Sequence, residues 1–79
     1  MMQVIIRYID RIVFDDYANE VILPGLHGKL GIKPNHAAIS VILTTGEIHI
    51  KSEKKNKKFE AIEGIAQISN NIVNILLTD

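Results

Sequence analysis

An all-β fold, a small sandwich or barrel of short strands, is predicted by three features of the sequence. Fifteen isoleucines, five valines and three threonines make 23 of the 79 residues β-branched, whereas alanine and leucine are sparse. Such side chains lose rotamer freedom in a helix and pack well on a pleated surface. Several stretches alternate apolar and polar residues with a period of two, and turn-forming residues fall between them at short intervals.

Taken in order, "VIIRYI" sets Val4, Ile6 and Tyr8 on one face and Ile5 and Ile9 on the other. Asp15-Asp16 predicts a turn, because aspartate bonds readily to nearby backbone. Val21 and Leu23 share a face with Ile22 behind them, and the run closes at a predicted turn at Pro24-Gly25, with another at Pro34-Asn35. "NHAAISVIL" admits two readings: a helix opened by an Asn35 cap, or a strand, toward which Ile39, Val41 and Ile42 weigh. "TTG" at 44–46 turns the chain into "GEIHIK", where Ile48 and Ile50 oppose Glu47, His49 and Lys51. The Lys-Asn stretch 51–58 reads as a hairpin tip, and "KFEAI" then places Phe59 and Ala61 against Glu60 and Ile62. Gly64 and Asn70-Asn71 mark the last turns before "NIVNILL", whose Val73, Ile75 and Leu77 lie on one face. No internal repeat or linker divides the chain, so one domain over residues 1–79 is expected.

Size and composition restrict the function. A domain of this length buries only about 60 to 65% of the surface its unfolded chain exposes, which disfavours a deep catalytic cleft. Without cysteine there are no disulfides or thiolate sites, so packed aliphatic side chains must supply the stability. Nine basic residues balance nine acidic ones, which leaves no global field to attract nucleic acid or anionic lipid. No apolar run approaches the roughly 18 residues of a membrane-spanning helix, and "MMQVIIRYID" lacks the pattern of a signal peptide.

Several strands are apolar on both faces. Ile5 and Ile9 lie behind Val4 and Ile6, Ile22 behind Val21 and Leu23, Ile42 behind Val41 and Leu43, and Ile72 and Leu76 behind Val73 and Leu77. If these second faces join, they form an apolar patch larger than a monomer normally leaves uncovered, and such patches mark partner surfaces.

The stretch "LPGLHGKLGIKPNH", residues 23–36, sets glycines at 25, 28 and 31 between two prolines. A phosphate-binding P-loop is excluded, because Leu23 stands where its first glycine belongs and Leu30 where its hydroxyl belongs. The spacing also differs from G-x-G-x-x-G. Gly25-Leu-His-Gly28 fits the GXXG clamp of KH domains in letters alone, since that clamp joins helices and this one is flanked by β-branched runs. Glycine here supplies positive φ or lets a second backbone approach, while proline fixes φ, so Pro24, Gly25, Gly28, Gly31 and Pro34 are expected to shape a rigid corner.

From Glu20 to Ala37 the order E-V-I-L-P-G-x-x-G-x-x-G-I-x-P-x-H-A resembles the signature of the epsilon subunit of F-type rotary ATP synthase, called delta in mitochondria, within its N-terminal β-sandwich domain. "DRIVFDDYANEV", "TTGEIHI" and "KKFEAIEGIAQISNNIVNILLTD" resemble the flanking family segments, so the resemblance covers essentially the whole chain. It implies a two-sheet sandwich of about ten short strands, attached to the gamma subunit and resting by its loop end on the membrane c ring. Such a rotor component acts indirectly on the catalytic alpha/beta hexamer and has no cofactor, metal or catalytic residue of its own. The implied location is the cytoplasmic face of a bacterial inner membrane, or the equivalent organelle face.

The two-faced strands and the motif together give a gamma interface of Ile5, Ile22, His36, Ala38, Ile39 and Ile42. The projecting corner gives a ring-contact loop of Leu26, His27, Lys29, Leu30 and Lys33. The chain departs from the family pattern at Ala38, where proline is usual, at Gly64-Ile65, where two glycines are usual, and at Lys29, where an acid is frequent. It stops at Asp79, so the family's C-terminal helical hairpin is expected to be absent from this polypeptide.

Other candidates weigh less. His27 and His36 are nine residues apart and have no acidic residue at ligand spacing, so a metal site is not expected. "KSEKKNKK", Lys51 to Lys58, holds five of the nine cations and raises the alternative of a module that binds single-stranded RNA or anionic surfaces. Such a module uses aromatic stacking platforms, and of Tyr8, Phe14, Tyr17 and Phe59 only the last adjoins the basic run. A solvated hairpin tip is the preferred reading, with no nucleic acid partner.

Overall fold

Alternation in the sequence becomes pairing in a computed structural model, which describes residues 1–53 and 55–78. The described residues form nine strands and no helix: β1 (Met2–Tyr8), β2 (Arg11–Ala18), β3 (Glu20–Gly25), β4 (Gly28–Ile32), β5 (Ile39–Leu43), β6 (Gly46–Lys51), β7 (Asn56–Ala61), β8 (Gly64–Ser69) and β9 (Ile72–Leu77). The all-β class is as expected, with nine strands where about ten were implied.

The ladder runs β2-β1-β9-β8-β5-β3-β6-β7, with β4 on β3. Neighbours are antiparallel except β1 and β9. β5 meets β3 through the single pair Gly25 and Leu43, while the rest of that edge of β3 pairs with β6 over Glu20 to Ile22. The strands therefore divide into two layers, β2-β1-β9-β8-β5 and β4-β3-β6-β7, hinged at this corner. Between them lie Val4, Ile6, Val73, Ile75 and Ala66 from the first layer and Val21, Leu23, Ile32, Ile48 and Ile50 from the second, all buried. Each large member of this set contributes about 1.5 to 3 kcal/mol through its removal from water. Phe14 and Phe59 meet edge to face, with centroids 5.5 Å apart, and join the exposed-edge strands β2 and β7.

Four local expectations are corrected. Asp15 and Asp16 do not turn the chain; they lie inside β2 opposite Ile5 and Val4. β2 is an edge strand, where carboxylates remain solvated and guard against strand addition. Asp15 accepts a hydrogen bond from Gln3 Nε2 at 2.9 Å. The turn expected at Pro24-Gly25 falls two residues later, at Leu26-His27, and most of the anticipated corner is the β3–β4 hairpin. Gly28 has φ 124°, a value side chains strongly disfavour, and this lets the hairpin reverse there. The helix admitted for "NHAAISVIL" does not form, because Asn35 has φ 68°, whereas an N-cap needs extended backbone. Finally, the 51–58 tip is shorter than expected, with Lys57 and Lys58 paired inside β7 and Lys54 outside the described residues.

Asn70 and Asn71 do turn the chain, with φ 52° and 60°. Positive φ at both central residues gives the type I′ hairpin, whose twist matches that of the flanking strands.

Candidate docking surface

Register sorts the outer face of the first layer into lines, two of which cross all five strands. Ile42 pairs with Ile65, Ile65 with Leu76, Leu76 with Arg7 and Arg7 with Ile12, so one row crosses β5, β8, β9, β1 and β2. Their chain neighbours Val41, Leu43, Ala66, Ile75, Leu77 and Ile6 are buried, which turns the row outward. Ile42, Ile65, Leu76 and Ile12 are 61, 49, 40 and 54% exposed. At the usual strand spacing the row is about 19 Å long. The adjacent line is Ser40, Gln67, Asn74, Ile5 and Asp15, polar except for half-buried Ile5.

The residues expected to meet gamma are brought together only in part. Ile42 opens the apolar row, and Ile5 stands in the line beside it. His36 and Ala38 lie in the connection leading into β5, half-buried and exposed respectively. Ile39 shares the inward-facing row with Ile68 but is partly uncovered where β5 begins. Ile22 belongs to the second layer, opposite Gly31 and His49, and faces out on the other side of the sandwich.

The ring-contact residues also divide. Leu26 and His27 form the tip of the β3–β4 hairpin, and the Leu26 N–H donates to the Ile42 carbonyl at 2.9 Å, which joins the tip to the apolar row. A groove of about 380 Å³ there is lined by Leu26, His27, Lys29, Leu30, Ile39 and Ile42. Lys33 lies beyond the opposite end of β4, beside Pro34. Around the tip, the Thr44 N–H donates to the Pro24 carbonyl at 2.9 Å, Thr45 Oγ1 to the Ile62 carbonyl at 3.2 Å, and the Thr78 N–H to the Glu63 carbonyl at 3.1 Å. The β1–β2 turn at Ile9-Asp10 lies at the same end, beside Leu77 and Thr78. Ile9, Leu26 and Ile62, each on a different turn, are all exposed.

Sequence reasoning placed Ile9 on an outward apolar face but missed Ile65, Ile12 and Ile62 as surface candidates. For Ile65 the signal was available: "GIAQIS" alternates, with Ala66 and Ile68 inside. Ile12 was hidden by a bulge, since Ile6 pairs with Phe14 but Arg7 with Ile12, leaving Val13 over.

Two lysines of the basic segment have close partners. Lys51 Nζ is 3.9 Å from a Glu20 carboxylate oxygen, and Lys57 Nζ sits 5.7 Å from the Phe14 ring centroid. Asp16 and Glu53 line the same opening as Lys55 and Lys57. Phe14 and Phe59 pack on each other edge to face, and both are half-buried. The histidines stand apart: His27 on the hairpin tip, His36 before β5 and His49 on β6, where its Nε2 is 3.2 Å from Glu47.

A two-layer β module with one uncovered apolar row and a loop end studded with aliphatics is the class that fold and surface define. The family described as "ATP synthase, Delta/Epsilon chain, beta-sandwich domain" matches residues 1–79, and the chain belongs to it. The chain is similar to the ATP synthase epsilon chain of Synechococcus elongatus, with 40% identity over 68 residues, covering 86% of this chain and 50% of that one. It is also similar to the chloroplastic epsilon chain of Thalassiosira pseudonana, 39% identical over 70 residues, covering 89% of this chain and 53% of that one. It therefore spans about half the length of the curated relatives it matches. A chain of the Euglena gracilis mitochondrial ATP synthase (OSCP/F1/c-ring, rotational state 1) superposes with TM-score 0.91 at 15% identity, over 99% of this chain and 51% of that one. A chain of the Tetrahymena thermophila mitochondrial ATP synthase central stalk/c-ring gives 0.79 at 19% identity, over 99% and 63%. These two likenesses establish the shared fold.

Proposed function

We propose that this chain is a nonenzymatic component of an F-type ATP synthase rotor, joining a gamma subunit to the membrane c ring so that ion-driven rotation reaches the catalytic alpha/beta hexamer. The observation that carries this reading is the uncovered apolar run Ile42, Ile65 and Leu76, continued beyond the charged Arg7 by Ile12, in a chain whose relatives are named ATP synthase epsilon chains. An exposed row of this length is costly in water unless a partner covers it. Gamma docks on this face, over Ile42, Ile65 and Leu76, with Ile5, His36, Ala38 and Ile39 at its margin. Ile22, on the other side of the sandwich, lies outside that single surface. The c ring meets the loop end, where Leu26, His27, Lys29 and Leu30 of the hairpin are joined by Ile9 and Ile62. The assembly sits peripherally on the cytoplasmic face of a bacterial inner membrane or the equivalent organelle face.

Cysteine crosslinking in the assembled complex tests both surfaces together. Ile65→Cys is expected to link to gamma, and Leu26→Cys and Ile62→Cys to the ring. Links from Leu26→Cys and Ile62→Cys to gamma alone would remove the ring assignment, and a silent Ile65→Cys would remove the gamma face.

A further inference from the structure

The connection Lys33–Ala38 between β4 and β5 is held to the rest of the fold in an unusual way. It makes no ladder pairs, and among the described residues its hydrogen bonds to other segments all go to one residue, Asn71. The Asn35 N–H donates to Asn71 Oδ1 at 2.6 Å, and Asn71 Nδ2 donates to Asn35 Oδ1 at 3.2 Å, across 36 residues of sequence. Both asparagines have positive φ, 68° and 60°, and asparagine tolerates this conformation better than other non-glycine residues. Asn71 is itself fixed: it occupies the type I′ turn, and its carbonyl accepts from the Gln3 N–H at 2.9 Å. The following residue, His36, is held locally, its Nδ1 2.7 Å from the Ala37 carbonyl oxygen.

We infer that Asn71 is a positioning residue, which clamps Asn35 so that His36 and Ala38 are presented in a fixed, preorganised conformation at the gamma-docking surface. This rests on the docking reading given above. A six-residue connection without ladder bonds would otherwise have to be ordered on binding, and ordering weakens affinity. The clamp settles that order in advance. The turn needs positive φ at Asn71, which glycine satisfies, but the clamp needs the amide, which glycine lacks. Asn71→Gly therefore separates the two roles. Asn71→Asp keeps the acceptor for the Asn35 N–H and tolerates the same φ, so it should restore much of the effect.

The test measures amide exchange in the free chain and affinity for purified gamma in Asn71→Gly, Asn71→Asp and His36→Ala. Asn71→Gly should speed exchange of the Asn35 amide at least tenfold with β8 and β9 protection and the melting temperature unchanged, and should weaken gamma binding about fivefold or more, while Asn71→Asp recovers both. Unchanged Asn35 exchange in Asn71→Gly would overturn the clamp. Faster exchange with normal gamma binding, while His36→Ala binds poorly, would overturn the positioning role but leave the docking surface standing. Normal binding by both Asn71→Gly and His36→Ala would remove this segment from the docking surface, and the positioning role with it.

Discussion

Ile42→Glu is expected to weaken gamma binding at least a hundredfold while the domain stays folded. Ile42 is 61% exposed, so its replacement leaves no cavity, and substitutions at such positions typically change stability by about 0.5 kcal/mol or less. In the complex a carboxylate would sit among Ile65, Leu76 and whatever apolar side chains cover them, and the effective penalty for burying an unpaired ion is several kcal/mol. Even about 3 kcal/mol corresponds to more than a hundredfold in dissociation constant. Titration calorimetry against purified gamma measures the effect, and a thermal melt shows whether the fold survives. Ile22→Glu is the matched control: it has the same chemistry but sits in the other layer, and should bind within about threefold of the unaltered chain. Wild-type affinity for Ile42→Glu would show that the row is not the interface. Equal losses from both substitutions would place the interface at the layer corner instead.

That control exists because the two surfaces were legible in the sequence to different depths. Period-two alternation in "GEIHIK" and "NIVNILL" identified which side chains enter the core, and Ile48, Ile50, Val73, Ile75 and Leu77 are all buried. The same alternation showed that Ile5, Ile22 and Ile42 turn away from it. It carries no information about which layer a strand joins, so Ile22 and Ile42 looked like members of one patch. That assignment depends on pairing between residues far apart in the chain, such as β1 with β9 and β5 with β8. Such registers place Ile65 and Leu76 between Ile42 and Ile12 and reduce Ile5 to a neighbour of the row. The glycine-proline motif marked the right neighbourhood but misplaced the turn, because Pro24 was read as a turn residue. Inside β3 its carbonyl accepts from Thr44, and its lack of an N–H does no harm there. Asp15-Asp16 misled for a related reason: local preference for a turn yields when an exposed edge strand leaves both carboxylates in water.

Gly64→Ala carries the largest expected loss of stability, and it acts on the docking row as well. A Cβ at residue 64 would run into the Leu76 carbonyl oxygen and touch Leu77 Cδ2, and the first obstacle is backbone that no rotamer change can move aside. β8 would have to retreat from β9 at the pair Gly64 and Leu77, next to the pair Ile65 and Leu76. Overpacking of this kind costs about 1 to 3 kcal/mol, and the backbone obstacle puts this site at the upper end. A domain of this size is typically stable by only about 5 to 10 kcal/mol, and each kcal/mol moves the melting temperature by roughly 4 to 8 °C, so a fall of about 15 °C is expected. The same retreat displaces Leu76 relative to Ile65 in the middle of the row, so gamma binding should weaken even at temperatures where the variant is fully folded. Gly31→Ala is the comparison, since its added Cβ meets only the flexible Glu20 carboxylate, and it should melt within a few degrees of the unaltered chain. If Gly64→Ala melts like Gly31→Ala, β8 and β9 are not pressed together at residue 64, and the tight seam assigned to the centre of the row is absent.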